Sequence, residues 1–293
     1  MRTDESRNLV LRYGSPRSQE FVADGADKHV RSKHNIINQP SQTSALRNEE
    51  ENLMNDSKIF RWSGVCALAA VATFFIEFPF YFVRSVKFSS MAESYKFPEY
   101  AFRNGTNIMT CVLLDLFILG LFMIFSAGLR HLIRQAAAER EWLGTLFFGT
   151  GLVYVTLTLV ADSLQAAQVI DALTVPGDPT IIRALMESSF LMYGSVALFL
   201  MAFLMAVSSY ATMAGNALPK WSGVVGYVCG LACLAFVPSM FVRHIDILGF
   251  YNPAGLGPEA FASGFPLAVW MITVGILMIR KGKAIAPSII APQ

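Results

Sequence analysis

Four acidic side chains lie within apolar stretches of this 293-residue chain and are the residues best suited to do chemistry. They are Glu77, Asp115, Asp162 and Glu187. A charged aspartate at the centre of a bilayer costs about 2.5–3.5 kcal/mol on the insertion scale. Such residues face the interior of a helical bundle, pair with another polar group, or carry a proton. The ligands that suit this chemistry are a cation, a proton or a polar lipid headgroup.

Polar neighbours at helical spacing accompany two of the four acids. Residues three or four positions apart share one face of a helix, so each set predicts a polar stripe on a buried face. The two stripes are Thr158, Asp162, Gln165 and Asn107, Cys111, Asp115.

Arginines at the ends of the apolar stretches are the candidate partners of these acids. Glu77 and Arg84 are seven positions apart on one predicted helical face, and Arg183 precedes Glu187 by one turn. The functional interpretation is an outward-facing polar cavity with an acidic floor and an arginine rim. The alternative is that the acids are structural, because buried Asp–Arg and Asp–Gln pairs also fix the register of neighbouring helices. For Glu187 this structural interpretation is favoured. The candidate ligand-binding residues are Glu77, Asp115, Asp162, Gln165, Arg84 and Arg243.

Two prolines are predicted to lie inside helices near their outer ends. Pro79 and Pro238 each remove a backbone donor and displace the carbonyl four residues back, at Phe75 and Leu234. A displaced carbonyl is a candidate ligand for a cation or water. A plain helix kink, absorbed by neighbouring helices, is the favoured interpretation because proline is common in membrane helices.

The elements that must position these residues are membrane helices. The chain is 54% hydrophobic and only 15% charged, with a mean hydropathy of +0.47, whereas soluble domains carry roughly 25% charged residues. A span needs about 20 apolar residues. We therefore predict an all-α polytopic bundle of six transmembrane helices, at about 62–83, 107–129, 142–168, 184–214, 221–242 and 262–279.

The sequence of the first predicted helix recurs in the fifth. Trp62-Ser63-Gly64-Val65 recurs as Trp221-Ser222-Gly223-Val224, and the proline and Phe-Val-Arg ends recur at the same offset of 159 residues. The middle of the chain shares only the opening, around Trp142. The repeat predicts three tandem helical hairpins of equal orientation. The alternative is that each inward helix start independently favours a cation, an interfacial tryptophan and a small residue.

Basic residues predict that both termini are cytoplasmic. With the N-terminus inside, nine basic residues near the helix ends lie inside and six lie outside. Residues 1–58 are polar and are predicted to be a disordered cytoplasmic tail, unless Met54 is the true start. Residues 59–283 form the transmembrane domain, and 284–293 form a short tail.

Several classes of function lack support in the sequence. A net charge of +2 is too small to indicate nucleic-acid binding. All four cysteines fall inside predicted spans, so no disulfide framework is expected, and Cys229 and Cys233 have no flanking histidine or carboxylate to complete a metal site. We find no catalytic signature among the four histidines. No cofactor, metal or catalytic residue is predicted.

The region from about 58 to 283 resembles uncharacterised six-helix multi-pass membrane proteins of bacteria, which form a domain family of unknown function. The resemblance rests on the Arg61-x-x-Gly64 start, the helix count and the short inner loops. It implies a location in the inner (plasma) membrane and no known activity. The preferred hypothesis is binding or transport of a small solute, cation or proton in the outward-facing cavity. The alternative is a structural or partner-binding membrane subunit, and a membrane enzyme is third; the oligomeric state stays open.

Overall fold

The structure, a computed structural model, describes residues 42–82, 91–174, 178–242, 250–251 and 261–285. Within these ranges every regular element is helical, as predicted. Short 3₁₀ turns at Met91–Lys96, Ala138–Arg140 and Val237–Phe241 adjoin the longer helices. The seven α-helices are α1 (Gln42–Phe82), α2 (Phe97–Ala136), α3 (Glu141–Thr174), α4 (Pro179–Leu191), α5 (Ala197–Ala214), α6 (Lys220–Phe236) and α7 (Ser263–Ile285).

In the described ranges, six helical segments are long and apolar enough to cross a membrane, which agrees with the predicted number of spans and supports the multi-pass class. The fourth segment contains both α4 and α5, joined by a π-helical turn at Met192–Val196. The segments are Glu51–Phe80, Phe97–Ala136, Ala138–Leu173, Pro179–Ala214, Lys220–Phe241 and Ser263–Ile285.

The first helix extends well into the region predicted to be a disordered tail. α1 begins at Gln42, whereas the tail was predicted to reach residue 58. Residues 42–58 contain no glycine or proline and several good helix formers, so the backbone continues the helix of the span. The end of this segment is packed, since Ser57 Oγ donates to the Gly282 carbonyl at 2.6 Å. Residues 1–41 and 286–293 lie outside the described residues.

Two compact units divide the chain, Met1–Arg47 and Asn48–Gln293. The bundle belongs to the second unit, where α2 packs along α3, α5 packs along α6, and α3 also contacts α5. Trp270 lies in the core at 1% exposure, with its ring 5.4 Å from that of Phe125 and 6.2 Å from that of Phe147. Such edge-to-face pairs add about 0.5–1.5 kcal/mol to the burial of the rings.

Local sequence explains where several helices begin and end. Asp178 caps α4, because its side chain accepts a hydrogen bond from the Thr180 amide at 2.8 Å, and Pro179 occupies the first turn, where its missing donor costs nothing. α5 ends before a tight loop in which Asn216 has a φ of 50°. Asparagine tolerates this left-handed conformation better than most residues.

Glycines allow α1 and α7 to cross with their backbones in contact. A Cβ atom at Gly64 would lie 2.5 Å from the Gly275 carbonyl oxygen, and one at Gly275 would lie 3.0 Å from the Ala67 Cβ. At the neighbouring position of α1, Ser63 packs where a Cβ at Gly128 of α2 would stand. Close approach of this kind is the usual way in which membrane helices gain packing energy.

The sequence repeat places equivalent residues in equivalent roles. Ser63 and Ser222 are both buried, and Gly64 and Gly223 both lie at close helix contacts, the first on α7 and the second on Met213 of α5. Ser222, Gly226 and Gly230 form a ridge of small residues on α6 that packs inside the bundle, where Gly226 contacts Ser209 and Trp270.

Three tryptophans mark one end of the bundle, which we call the tryptophan end. Trp62, Trp142 and Trp221 are 67%, 62% and 55% exposed. Exposed tryptophans near helix starts are typical of a membrane–water interface.

Two cations from other parts of the chain cap carbonyls at the tryptophan end, one at the last residue of α5 and one in the loop that follows it. Arg140 Nη1 donates to the Ala214 carbonyl, and Lys281 Nζ donates to the Ala217 carbonyl at 2.9 Å. The final carbonyls of a helix lack partners within it and carry partial negative charge. The two cations therefore tie the α2–α3 connection and α7 to the end of α5.

Replacing Lys281 by methionine should weaken this tie. The change keeps most of the side-chain volume and removes one charge-assisted hydrogen bond, which for a half-buried group contributes about 1 kcal/mol. We expect the midpoint of thermal unfolding in detergent to fall by about 2–4 °C. The exposed Lys283, changed to methionine in the same helix, is the matched control. Equal midpoints for the two variants would show that the Lys281 bond adds nothing to stability.

Candidate functional site

Three predicted acids from three helices converge in the bundle. Glu77 lies in α1, Asp115 in α2 and Asp162 in α3. Asp115 interacts electrostatically with both of the others. Glu77 and Asp162 are buried, at 1% and 2% exposure. The acids are 85 residues apart along the chain at most, and the helix packing alone brings them together.

A cavity of about 120 Å³ adjoins these acids. Glu77, Asp115 and Gln165 of the predicted site line it directly, and Asp162 accepts a hydrogen bond from Tyr193, which also lines it. One water molecule needs about 10–15 Å³ of such space, so the cavity exceeds the needs of a single bare ion. Its polar lining comes from Glu77, Tyr100, Asp115, Tyr154, Thr158, Gln165, Gln168, Ser189, Tyr193 and Ser263.

Tyr193 is a site residue that the sequence analysis missed. It lies in the π-helical turn Met192–Val196, where Gly194 leaves helical geometry with a ψ of −113°. The predicted fourth span at about 184–214 is confirmed within the segment Pro179–Ala214, in which this turn interrupts the α-helical geometry. π-helical turns redirect the side chains that follow them and occur often at functional sites. Here the turn allows the Tyr193 hydroxyl to donate to Asp162 Oδ1.

Gln168 is the second missed residue and carries an unsatisfied polar atom. Its side chain lines the cavity and is 3% exposed, yet its Oε1 atom has no hydrogen-bond partner among the described residues. A buried acceptor without a partner costs about 1–3 kcal/mol. Gln168 continues the predicted Thr158–Asp162–Gln165 stripe by one helical turn, so the same periodicity would have found it.

The other members of the two predicted stripes differ in their roles. The Thr158 hydroxyl donates to the Tyr154 carbonyl in its own helix at 3.0 Å, although its side chain lines the cavity. Cys111 is buried at 2% exposure, and neither Cys111 nor Asn107 lines the cavity. Asp115 is therefore the member of the α2 stripe that reaches the cavity.

Positive charge is absent from the described lining. None of the described residues that line the cavity is a lysine, arginine or histidine. Arg84 and Arg243, the predicted rim, lie outside the described residues. Arg183 pairs with Glu187 through Nε and Oε1 at 2.7 Å, as the structural interpretation of Glu187 expected.

Only one of the two prolines lies within an α-helix. Pro79 lies inside α1, as predicted. Pro238 lies in the 3₁₀ turn Val237–Phe241, which follows α6 directly within the helical segment Lys220–Phe241. The Leu234 carbonyl accepts a hydrogen bond from the Val237 amide, which is the tighter bonding common where a helix ends. That carbonyl is therefore a weaker candidate ligand than proposed from the sequence.

An acid–histidine pair exists far from the cavity, near the tryptophan end. His131 Nε2 lies 2.7 Å from Asp56 Oδ1, and His131 Nδ1 lies 3.1 Å from Arg134 Nη2. Gln135 also contacts Nε2 at 3.1 Å. Both ring nitrogens thus face protein partners, so the pair joins α1 to α2 and directs neither nitrogen to a substrate.

Comparison with protein-family models gives no match for this chain, and no curated protein or solved structure matches it. The resemblance to bacterial six-helix membrane proteins therefore stays an expectation from the sequence. The cavity and its lining residues are the structural features that bear on function.

Proposed function

We propose that this protein binds a small cationic solute, a cation or a proton in the cavity and carries it across the membrane. The observation that carries the proposal is the convergence of Glu77, Asp115 and Asp162 beside a cavity whose described lining contains no cationic side chain. Buried carboxylates are stabilised by a counter-charge or by protonation. A ligand that brings positive charge supplies what the described lining lacks.

In the same proposal the cavity faces outward and both termini are cytoplasmic. The tryptophan end is then the inner end, which agrees with the basic residues Arg130, Arg134, Lys220 and Lys281 around it. The six spans form three tandem hairpins, and the chain resides in the inner (plasma) membrane of a bacterium. Fusions of a cytoplasmic fluorescent reporter to either terminus should be active, and activity of a periplasmic phosphatase reporter at either end would contradict this topology.

The alternative function is that of a structural or partner-binding subunit. The hydrogen bond between Tyr193 and Asp162 favours it, because this bond joins α3 to the turn between α4 and α5 and would stabilise the bundle without any ligand. On this alternative the acids are structural and no ligand changes the stability of the protein.

Thermal unfolding of the detergent-purified wild-type protein separates the two functions. We expect the midpoint to depend on pH between 5 and 9 and to rise by about 5–10 °C at saturating concentration of a bound cation, which corresponds to roughly 2.7 kcal/mol at 100 times the Kd. Protons and cations compete for the same carboxyl groups, so the rise should be larger at pH 9 than at pH 5. A midpoint that responds to no cation at any pH would leave only the structural alternative.

A further inference from the structure

We infer that the cavity takes an organic cation, a protonated amine attached to an apolar body. This inference rests on the proposed function and specifies the class of its ligand. Three independent features of the described cavity carry it: the composition of its walls, the arrangement of its acids, and the unsatisfied acceptor of Gln168.

The walls of the cavity are largely apolar and rich in aromatic rings. Phe74 and Phe78 of α1 and Phe190 of α4 line it together with Met186, Met201 and Met271. Apolar walls of this kind gain free energy by removing apolar ligand surface from water, at about 25 cal/mol per Å². Aromatic faces also attract a cation that lies within about 6 Å of the ring. A hydrated inorganic ion would use neither property.

The acids do not form a metal-binding cage. In the part of the chain that the structure describes, no group of three histidine, cysteine, aspartate or glutamate side chains is arranged to hold a metal ion. Ca²⁺ and Mg²⁺ require six or more oxygen ligands at about 2.0–2.6 Å. Asp115 and Glu77 instead both line the cavity, whose wall also carries apolar side chains that could contact a larger group.

Gln168 supplies an acceptor that suits a donor on the ligand. Its Oε1 atom has no partner in the part of the chain that the structure describes, its side chain is 3% exposed, and it lines the same cavity as Asp115. An ammonium group carries up to three N–H donors and no acceptor. It would pair with a carboxylate and satisfy Oε1 at the same time, whereas an anion would satisfy neither.

Equilibrium dialysis of the full-length protein in detergent tests this inference with 1-naphthylmethylamine as the probe. 1-Naphthylacetate has the same apolar body and the opposite charge, so it controls for partitioning into the micelle. We expect saturable binding of the amine at pH 7.5, no saturable binding of the acetate, and at least tenfold weaker amine binding by Asp115→Asn. The Glu187→Gln variant, whose carboxylate pairs with Arg183 outside the cavity, should bind as the wild type does.

A second variant keeps the test decisive if Asp115→Asn does not fold. Gln168→Leu removes the unsatisfied acceptor and should weaken amine binding three- to tenfold, while binding of the trimethylammonium analogue, which has no N–H donor, stays unchanged. Equal binding of the amine and the acetate, or amine binding unaffected by both variants, would overturn the inference. If the protein responds to pH or to inorganic cations but not to the amine, the proposed function stands and the inference fails. If the protein responds neither to pH nor to inorganic cations nor to the amine, the proposed function and the inference are both wrong.

Discussion

Asparagine at position 162 is expected to abolish the pH and cation dependence of thermal stability while the protein stays folded. Asparagine has nearly the shape of aspartate, and its amide oxygen still accepts the hydrogen bond that Tyr193 donates to Asp162 Oδ1. The substitution therefore removes a charge from the site and little else. The loss corresponds to the whole ligand-linked stabilisation, roughly 2.7 kcal/mol at a cation concentration of 100 times the Kd. Thermal unfolding at pH 5 to 9, with and without cation, measures it.

Two comparisons make this result interpretable. Glu187→Gln also removes one carboxylate from a membrane helix, but from a residue that pairs with Arg183 away from the cavity, so its pH and cation response should match that of the wild type. Circular dichroism establishes that Asp162→Asn remains helical. If Asp162→Asn unfolds at a markedly lower temperature and the wild type responds to nothing, Asp162 is structural and the transport hypothesis is wrong.

Alanine at Gly64 should destabilise the bundle by about 2 kcal/mol. A Cβ atom there would lie 2.5 Å from the Gly275 carbonyl oxygen and 2.7 Å from Ile279 Cγ1. The first neighbour is backbone of α7, so the helices would have to move apart, and overpacking of this kind costs about 1–3 kcal/mol. The expected measurement is a fall of about 4–8 °C in the unfolding midpoint.

Gly120→Ala is the matched control for Gly64→Ala. No atom lies within 4 Å of a Cβ built at Gly120, which is also inside a membrane helix. Alanine is the better helix former by about 1 kcal/mol, so this variant should be as stable as the wild type or more so. The close crossing of α1 and α7 would be refuted if the two alanine variants had the same midpoint.

The sequence predicts the acids of the site because their cost in a membrane is large. Glu77, Asp115 and Asp162 stand out in apolar stretches, and an expensive charge has few favourable places other than the bundle interior. The six spans follow from hydropathy for the same reason. These predictions concern single residues or single helices. The free energy of placing each of them in the membrane can be judged without knowing which residues surround it.

Features that depend on contacts between distant segments could not be predicted in this way. Tyr193 becomes a site residue only because Asp162, 31 residues earlier, lies against the π-helical turn. Pro238 gave the same local signal as Pro79, yet one helix continues through its proline and the other ends before it. Proline costs a helix about 3 kcal/mol, and the surrounding packing decides whether that cost is met. The extension of α1 back to Gln42 differs from these features, because residues 42–58 contain no glycine or proline and several good helix formers, so local sequence could have predicted it.

The caps at the tryptophan end have a consequence for how a carrier of this design would alternate between its two faces. Arg140 and Lys281 fasten the tryptophan end through single bonds to Ala214 and Ala217. At about 1 kcal/mol for each of these half-buried bonds, releasing both costs about 2 kcal/mol. A ligand that binds one of two conformations more tightly than the other can supply a free energy of this size. The two caps would then act as an inner gate, closed at rest and weak enough for an occupied cavity to open.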